Sequence, residues 1–133
     1  ATFNELAHEL NARFQAALSQ PQVPSYALAS YDAIWILVDA IERAGGVDDS
    51  AAVVAEIELT DKAFAQGHYY FAYGSHSPME EDTPAWMWHQ WPDPSILVYQ
   101  YFEVGQVPDE AAVVWPEAYL THGTTYVVPG TTP

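Results

Sequence analysis

A mixed α/β fold with helices first and strands after is what this sequence predicts, and three observations predict it. Apolar residues recur at helical spacing through the first half, while aromatic and β-branched runs broken by Gly, Pro and Asp fill the second. Half of the 133 residues are apolar or aromatic, enough for a sizeable core.

Thr2 followed by Glu5 has the spacing of a capping box, and Phe3, Leu6, Leu10, Phe14 and Leu18 form a stripe, so an amphipathic helix is expected over about residues 3–18. Two prolines within Ser19-Gln20-Pro21-Gln22-Val23-Pro24 remove donors and push their predecessors to extended backbone, which makes this stretch a connector. Ser25 is placed to cap a second helix. In it Tyr31, Ile34, Val38 and Ile41 share one stripe, with Asp32, Asp39 and Arg43 opposite and Asp39 four residues before Arg43. Gly45-Gly46 ends that helix, and Asp48-Asp49-Ser50 caps a third over Ala51 to about Leu59.

Four runs then read as strands: His68 to Tyr73, Ala85 to Trp91, Ile96 to Glu103 and Ala111 to Trp115. Both alternating faces of Ile96 to Phe102 are apolar, which predicts a strand covered on two sides. No internal repeat is present. The Thr-, Gly- and Pro-rich tail at 121–133 has few anchors and is expected to be loose or laid across a neighbour.

Eighteen Asp and Glu face only Arg13, Arg43 and Lys62, a formal charge of −15. With so few cations to replace phosphate counterions, nucleic acid is not expected as a partner. Carboxylate self-repulsion relieved by salt fits a high-salt habitat and equally an ordinary acidic exported protein. There is no cysteine, hence no disulfide or thiolate chemistry, and no apolar run of 18 residues that would cross a membrane. No Gly-x-Ser-x-Gly elbow or phosphate loop is found, and the chain reads as a non-enzyme with no catalytic residues and no cofactor.

The segment Pro24 to Gly46, above all Ser30-Tyr31-Asp32-Ala33 and Asp39-Ala40-Ile41-Glu42-Arg43-Ala44-Gly45, resembles the end of type I solute-binding proteins. Thr60-Asp61 before an aromatic strand, and Tyr99-Gln100-Tyr101 leading through Gly105 to Val113-Val114-Trp115-Pro116-Glu117, look like the closing strands of that family. These proteins serve ABC transporters for branched-chain amino acids, amides and urea. The resemblance implies the C-terminal part of a two-lobed type I periplasmic-binding-protein fold over residues 1–120, spanning a hinge between lobes, with 121–133 as a tail. It implies a periplasmic or extracellular location, a small-molecule ligand and an ABC permease. It also implies an N-terminal part of the same fold, supplied by a separate chain, a cleaved one or a split gene.

By the same resemblance Tyr26 stands where the family sets an aromatic wall against its ligand, and packing of the hinge is the other reading of this ring. Ser25 would donate its hydroxyl to the ligand or cap its own helix. The five histidines, His8, His68, His76, His89 and His122, show no metal spacing, so no metal is expected. His76 with Glu80, Glu81 and Asp82 reads as a solvated acidic loop before it reads as a calcium site. Trp86 and Trp88 would share one strand face, with Trp91 close by, as packing or as a binding surface. A structural or adhesive extracellular subunit, assembling through these aromatics and the tail, is the alternative function.

Overall fold

The computed structural model describes residues 4–94, 96–107, 110–121 and 128. Among them are three helices and two two-stranded antiparallel sheets, a mixed helical and sheet architecture with the helices leading. Residues 4–94 form one compact unit and the described residues after 95 belong to a second.

Helix α1 runs Glu5–Leu18 and is capped by Asn4, whose Oδ1 accepts the N–H of Ala7 at 2.8 Å. The Asn4 amide also donates to the carbonyls of Phe64 and Ala65 at 3.1 and 3.0 Å, so one side chain starts the helix and anchors a distant turn. Thr2 and Phe3 lie outside the described residues. The buried face of α1 is Ala7 and Asn11, with Leu10 and Phe14 packed beside it, whereas Leu6 and Leu18 are exposed. The expected stripe is therefore rotated. Asn11 sits inside because its Oδ1 accepts the Val23 N–H at 2.8 Å and holds the connector against the helix.

Helix α2 spans Ser25–Ala44 and ends at Gly45, whose φ of 80° is the left-handed cap glycine supplies without strain. Its buried positions are Leu28, Asp32, Ile36 and Ala40. This corrects the expectation that Asp32 faces outward with Asp39 and Arg43, and Ile34 inward: Ile34 is 62% exposed and Asp32 is 0% exposed. The Asp39–Arg43 pair does form, and Arg43 also reaches Glu56 at 2.9 Å, tying α2 to α3. Helix α3, Ser50–Glu58, is capped by Asp49, which accepts from Ala51 and Ala52 at 3.0 and 3.1 Å.

Strands β1 (Asp61–Phe64) and β2 (Gly67–Tyr70) form a hairpin, Asp61 opposite Tyr70 and Phe64 opposite Gly67. The turn residues Ala65 and Gln66 point their N–H groups at Asp32, at 2.9 and 2.7 Å. This is why a carboxylate occupies the core: it replaces water for two backbone donors that the turn leaves without a strand partner. Ala65 joins Ala7, Val23 and Leu28 in the hydrophobic cluster between α1, α2 and the hairpin.

The aromatic run after Pro84 is not a strand. Ala85–Met87 is a 3-10 turn, closed by Met87 N–H to Pro84 O at 2.9 Å, and His89 has φ 59°. Prolines on both sides and a left-handed residue inside prevent an extended ladder. Trp91 instead lies on Tyr69, ring centroids 3.9 Å apart and 23° from parallel.

In the second unit β3 (Val98–Gln100) pairs antiparallel with β4 (Ala112–Trp115), with a register irregularity between Val98 and Tyr99. Ala111 to Val114 are buried. Among the described residues the expected two-sided cover of Ile96 to Phe102 is not present: Ile96, Val98 and Tyr101 are all exposed. Thr121 closes on β4, its N–H reaching Val113 O at 3.3 Å and its hydroxyl accepting from Val113 N–H at 3.0 Å. Beyond Thr121 the tail, His122 included, lies outside the described residues apart from Val128.

Candidate functional site

The connector delivers the chain to α2 through Pro24, which occupies the N-cap position. Proline has no side-chain acceptor, and the helix start has no side-chain cap among the described residues. The first intrahelical bonds run from Ala27 and Leu28 N–H to Pro24 O, at 2.9 and 3.2 Å. The N–H groups of Ser25 and Tyr26 precede them and belong to the donors that a helix start leaves over. Ser25 is thus the first helical residue and not the cap, and its hydroxyl is at an exposed position. Tyr26 is 85% exposed. An open helix N-terminus with a hydroxyl and an aromatic ring beside it is suited to a carboxylate or amide oxygen, with the ring against the ligand body.

A cleft of about 300 Å³ opens between α1, α2 and β1, lined by Leu10, Tyr31, Trp35, Val38 and Phe64 among others. Arg13 and Lys62, two of the three Lys and Arg residues in the chain, also line it, together with Glu9, Asp39 and Glu42. Lys62 is held there by Asp39 at 3.1 Å and sits 5.7 Å from the centre of the Phe64 ring. Neither Ser25 nor Tyr26 lines this cleft. The two features occupy different parts of α2.

Sequence reasoning missed a third feature. Glu58, at the end of α3 and 5% exposed, takes the Ser75 N–H at 2.7 Å and the Ser75 hydroxyl at 3.3 Å. His89 Nε2 lies 2.6 Å from Oε1, and His76 Nδ1 lies 3.6 Å from Oε2. Gly74 makes this approach feasible, since a Cβ there would stand 2.7 Å from the Glu58 carboxyl carbon. Burial pushes the Glu58 carboxyl up, but the Ser75 hydrogen bond and the two imidazoles outweigh burial and hold it below the ordinary range. Spacings of 18 and 31 residues from Glu58 to the two histidines left no local signal of this grouping.

The other sequence candidates disperse. His68 faces Asp61 at 2.5 Å, and His76 turns to Glu58 and the Phe71 carbonyl, away from any calcium loop with Glu80, Glu81 and Asp82. Among the described residues no three His, Asp or Glu side chains are placed to hold a metal ion. Trp86 and Trp88 do not share a strand face. Trp86 is 69% exposed, Trp88 lies against His89, and Trp91 belongs to the Tyr69 stack.

Comparison with protein-family models, with curated proteins and with solved structures returned no match for this chain.

Proposed function

We propose that the chain is the C-terminal part of a two-lobed solute-binding protein of the branched-chain amino acid, amide or urea transporter type. It captures a small polar solute outside the membrane and delivers it to an ABC permease, acting together with the N-terminal part of the same fold. The observation that carries this reading is the open start of α2, where Ser25 and the 85% exposed Tyr26 stand beside uncapped backbone donors. Such a half-site supplies one wall of a cleft and needs a second wall opposite.

One further observation supports it. Helix α2 is apolar on more than its buried side, with Ile34 and Leu37 exposed at 62% and 44%, which suits a helix covered by further polypeptide. No helix among the described residues is long and apolar enough to cross a membrane.

A thermal-shift screen of the chain joined to its N-terminal part tests the proposal. Amino acids, amides and urea supplied at about 100 times a micromolar Kd should stabilise a binder by about 2.7 kcal/mol. An unchanged midpoint with all three classes would count against transport. The exposed Trp86, Ile96 and Tyr101 favour a second reading, a structural or adhesive subunit. Sedimentation distinguishes the two: one N-terminal partner per chain supports capture, and an open-ended array supports assembly.

A further inference from the structure

The cleft between α1, α2 and β1 already accommodates one positive charge. The Lys62 ammonium lies 3.1 Å from Asp39 Oδ1 and 5.7 Å from the centre of the Phe64 ring, so a carboxylate and an aromatic face take this cation together. The same two kinds of group recur in the rest of the lining. Tyr31 and Trp35, one helical turn apart on α2, meet edge to face with ring centroids 6.2 Å apart, and Trp35 is 47% exposed. Glu42 comes from the same helix and Glu9 from α1. The charged groups of the lining differ in what they are bound to. Asp32 takes the Ala65 and Gln66 N–H groups, and Asp39 takes Arg43 and Lys62. Glu9, Glu42 and Arg13 make no side-chain ion pair or hydrogen bond among the described residues. Two of these three are carboxylates, in a chain of formal charge −15. An ammonium group therefore meets net attraction there, and a carboxylate net repulsion.

We propose that this cleft binds a small organic cation, an ammonium group on an aromatic body. Its volume of about 300 Å³ lies at the lower end of the range for small-molecule pockets, about 300–1,000 Å³, and its lining has the same make-up, mostly apolar with a few polar groups. Leu6, Leu10 and Val38 supply apolar contact for the body of the ligand. Trp35 takes the ammonium as Phe64 takes Lys62, tryptophan being the strongest of the aromatic side chains in this role. Glu9 and Glu42 supply the counter-charge, and Arg13 opposes it. The site lies wholly within residues 4–94 and includes neither Ser25 nor Tyr26, so it does not depend on solute capture at the start of α2.

Titration calorimetry of the whole chain with phenylethylammonium and with phenylacetate, which share a ring and differ in the sign of their charge, tests the site. At about 0.15 M salt the Debye length is about 8 Å, so attraction by the distant charges of the chain is screened and contact at the cleft decides the affinity. The ammonium should bind saturably and at least about tenfold more tightly than the carboxylate. Trp35→Ala should weaken its binding about tenfold, and Trp35→Phe by less, because phenylalanine keeps an aromatic face. Glu42→Gln should weaken it about threefold, and Arg13→Gln, which removes a like charge, should bind at least as tightly as the native chain. All three side chains are at exposed positions, and circular dichroism checks that the helices persist in each variant. Equal or tighter binding of phenylacetate, or a loss of affinity for the ammonium in Arg13→Gln, would overturn the proposal. So would ammonium binding that either Trp35→Ala or Glu42→Gln leaves unchanged, or no saturable binding up to about 10 mM.

Discussion

Asp32 Oδ1 accepts the backbone N–H of Ala65 at 2.9 Å, across 33 positions of sequence. Its other oxygen takes the N–H of Gln66 at 2.7 Å, and the side chain is fully buried. One residue of α2 therefore sets where the β1–β2 turn lies. Asp32→Ala leaves two inward-facing donors without an acceptor and should cost about 3 kcal/mol, while Asp32→Asn retains one acceptor oxygen and should cost less. The midpoint of urea unfolding at neutral pH measures both.

Asp32 and Glu58 should bend the pH–stability curve in opposite senses. Burial raises Asp32 despite the hydrogen bonds from Gln66, Ala65 and Tyr69. Its folded form binds the proton more tightly than the unfolded chain does, so its contribution is present at low pH and is lost as pH rises through the folded value. For Glu58 the shift is downward, so stability is present above the ordinary glutamate value and is lost as pH falls through the folded one. Melting temperatures between pH 3 and 8 should show less acid destabilisation in Glu58→Gln and a smaller decline with rising pH in Asp32→Asn.

Trp91 separates stacking from hydrogen bonding. Its ring lies flat on Tyr69, while its buried indole N–H has no partner among the described residues. Trp91→Phe keeps an aromatic face and removes a donor that burial penalises, so stability should change by less than about 1 kcal/mol. Trp91→Ala removes the face and should cost about 3 kcal/mol. Urea unfolding of the two variants checks the contrast.

Salt should stabilise the chain. Arg43 pairs with Asp39 and Glu56, and Lys62 with Asp39, so among the described residues the Lys and Arg ion pairs engage two of the eighteen acids and leave most of the others to repel. The Debye length falls from about 30 Å at 0.01 M to about 3 Å at 1 M, so the melting temperature should rise across that range and level off near its end. A further rise in multimolar salt would indicate salt exclusion or cation binding beyond screening. A flat or falling melting temperature would remove repulsion from the account.

The helices were legible because their signals are local: Asp49 before α3, Gly45 after α2 and the two prolines of the connector all act on neighbouring residues. Strand β1 was not read as a strand, since Asp61-Lys62-Ala63-Phe64 is short and polar and acquires its conformation from the Asp32 contacts at its turn. Burial of Asp32 and Glu58 escaped periodicity for a related reason. A carboxylate is placed outside by its charge unless distant donors satisfy it, and Ala65, Gln66 and Ser75 are such donors. The run Ala85 to Trp91 has strand composition, but Pro84 and the left-handed His89 decide its path. Ser25 and Tyr26 were singled out by resemblance, and the structure adds that the helix start beside them has no side-chain cap.

Titration calorimetry of the chain joined to the N-terminal part that the proposal requires, with amino acids, amides and urea, tests solute capture most directly. The account predicts saturable micromolar binding of a member of these classes, weakened at least about tenfold, or about 1.4 kcal/mol, by Tyr26→Ala. Absence of saturable binding by all of them, or an affinity that Tyr26→Ala leaves unchanged, would contradict it.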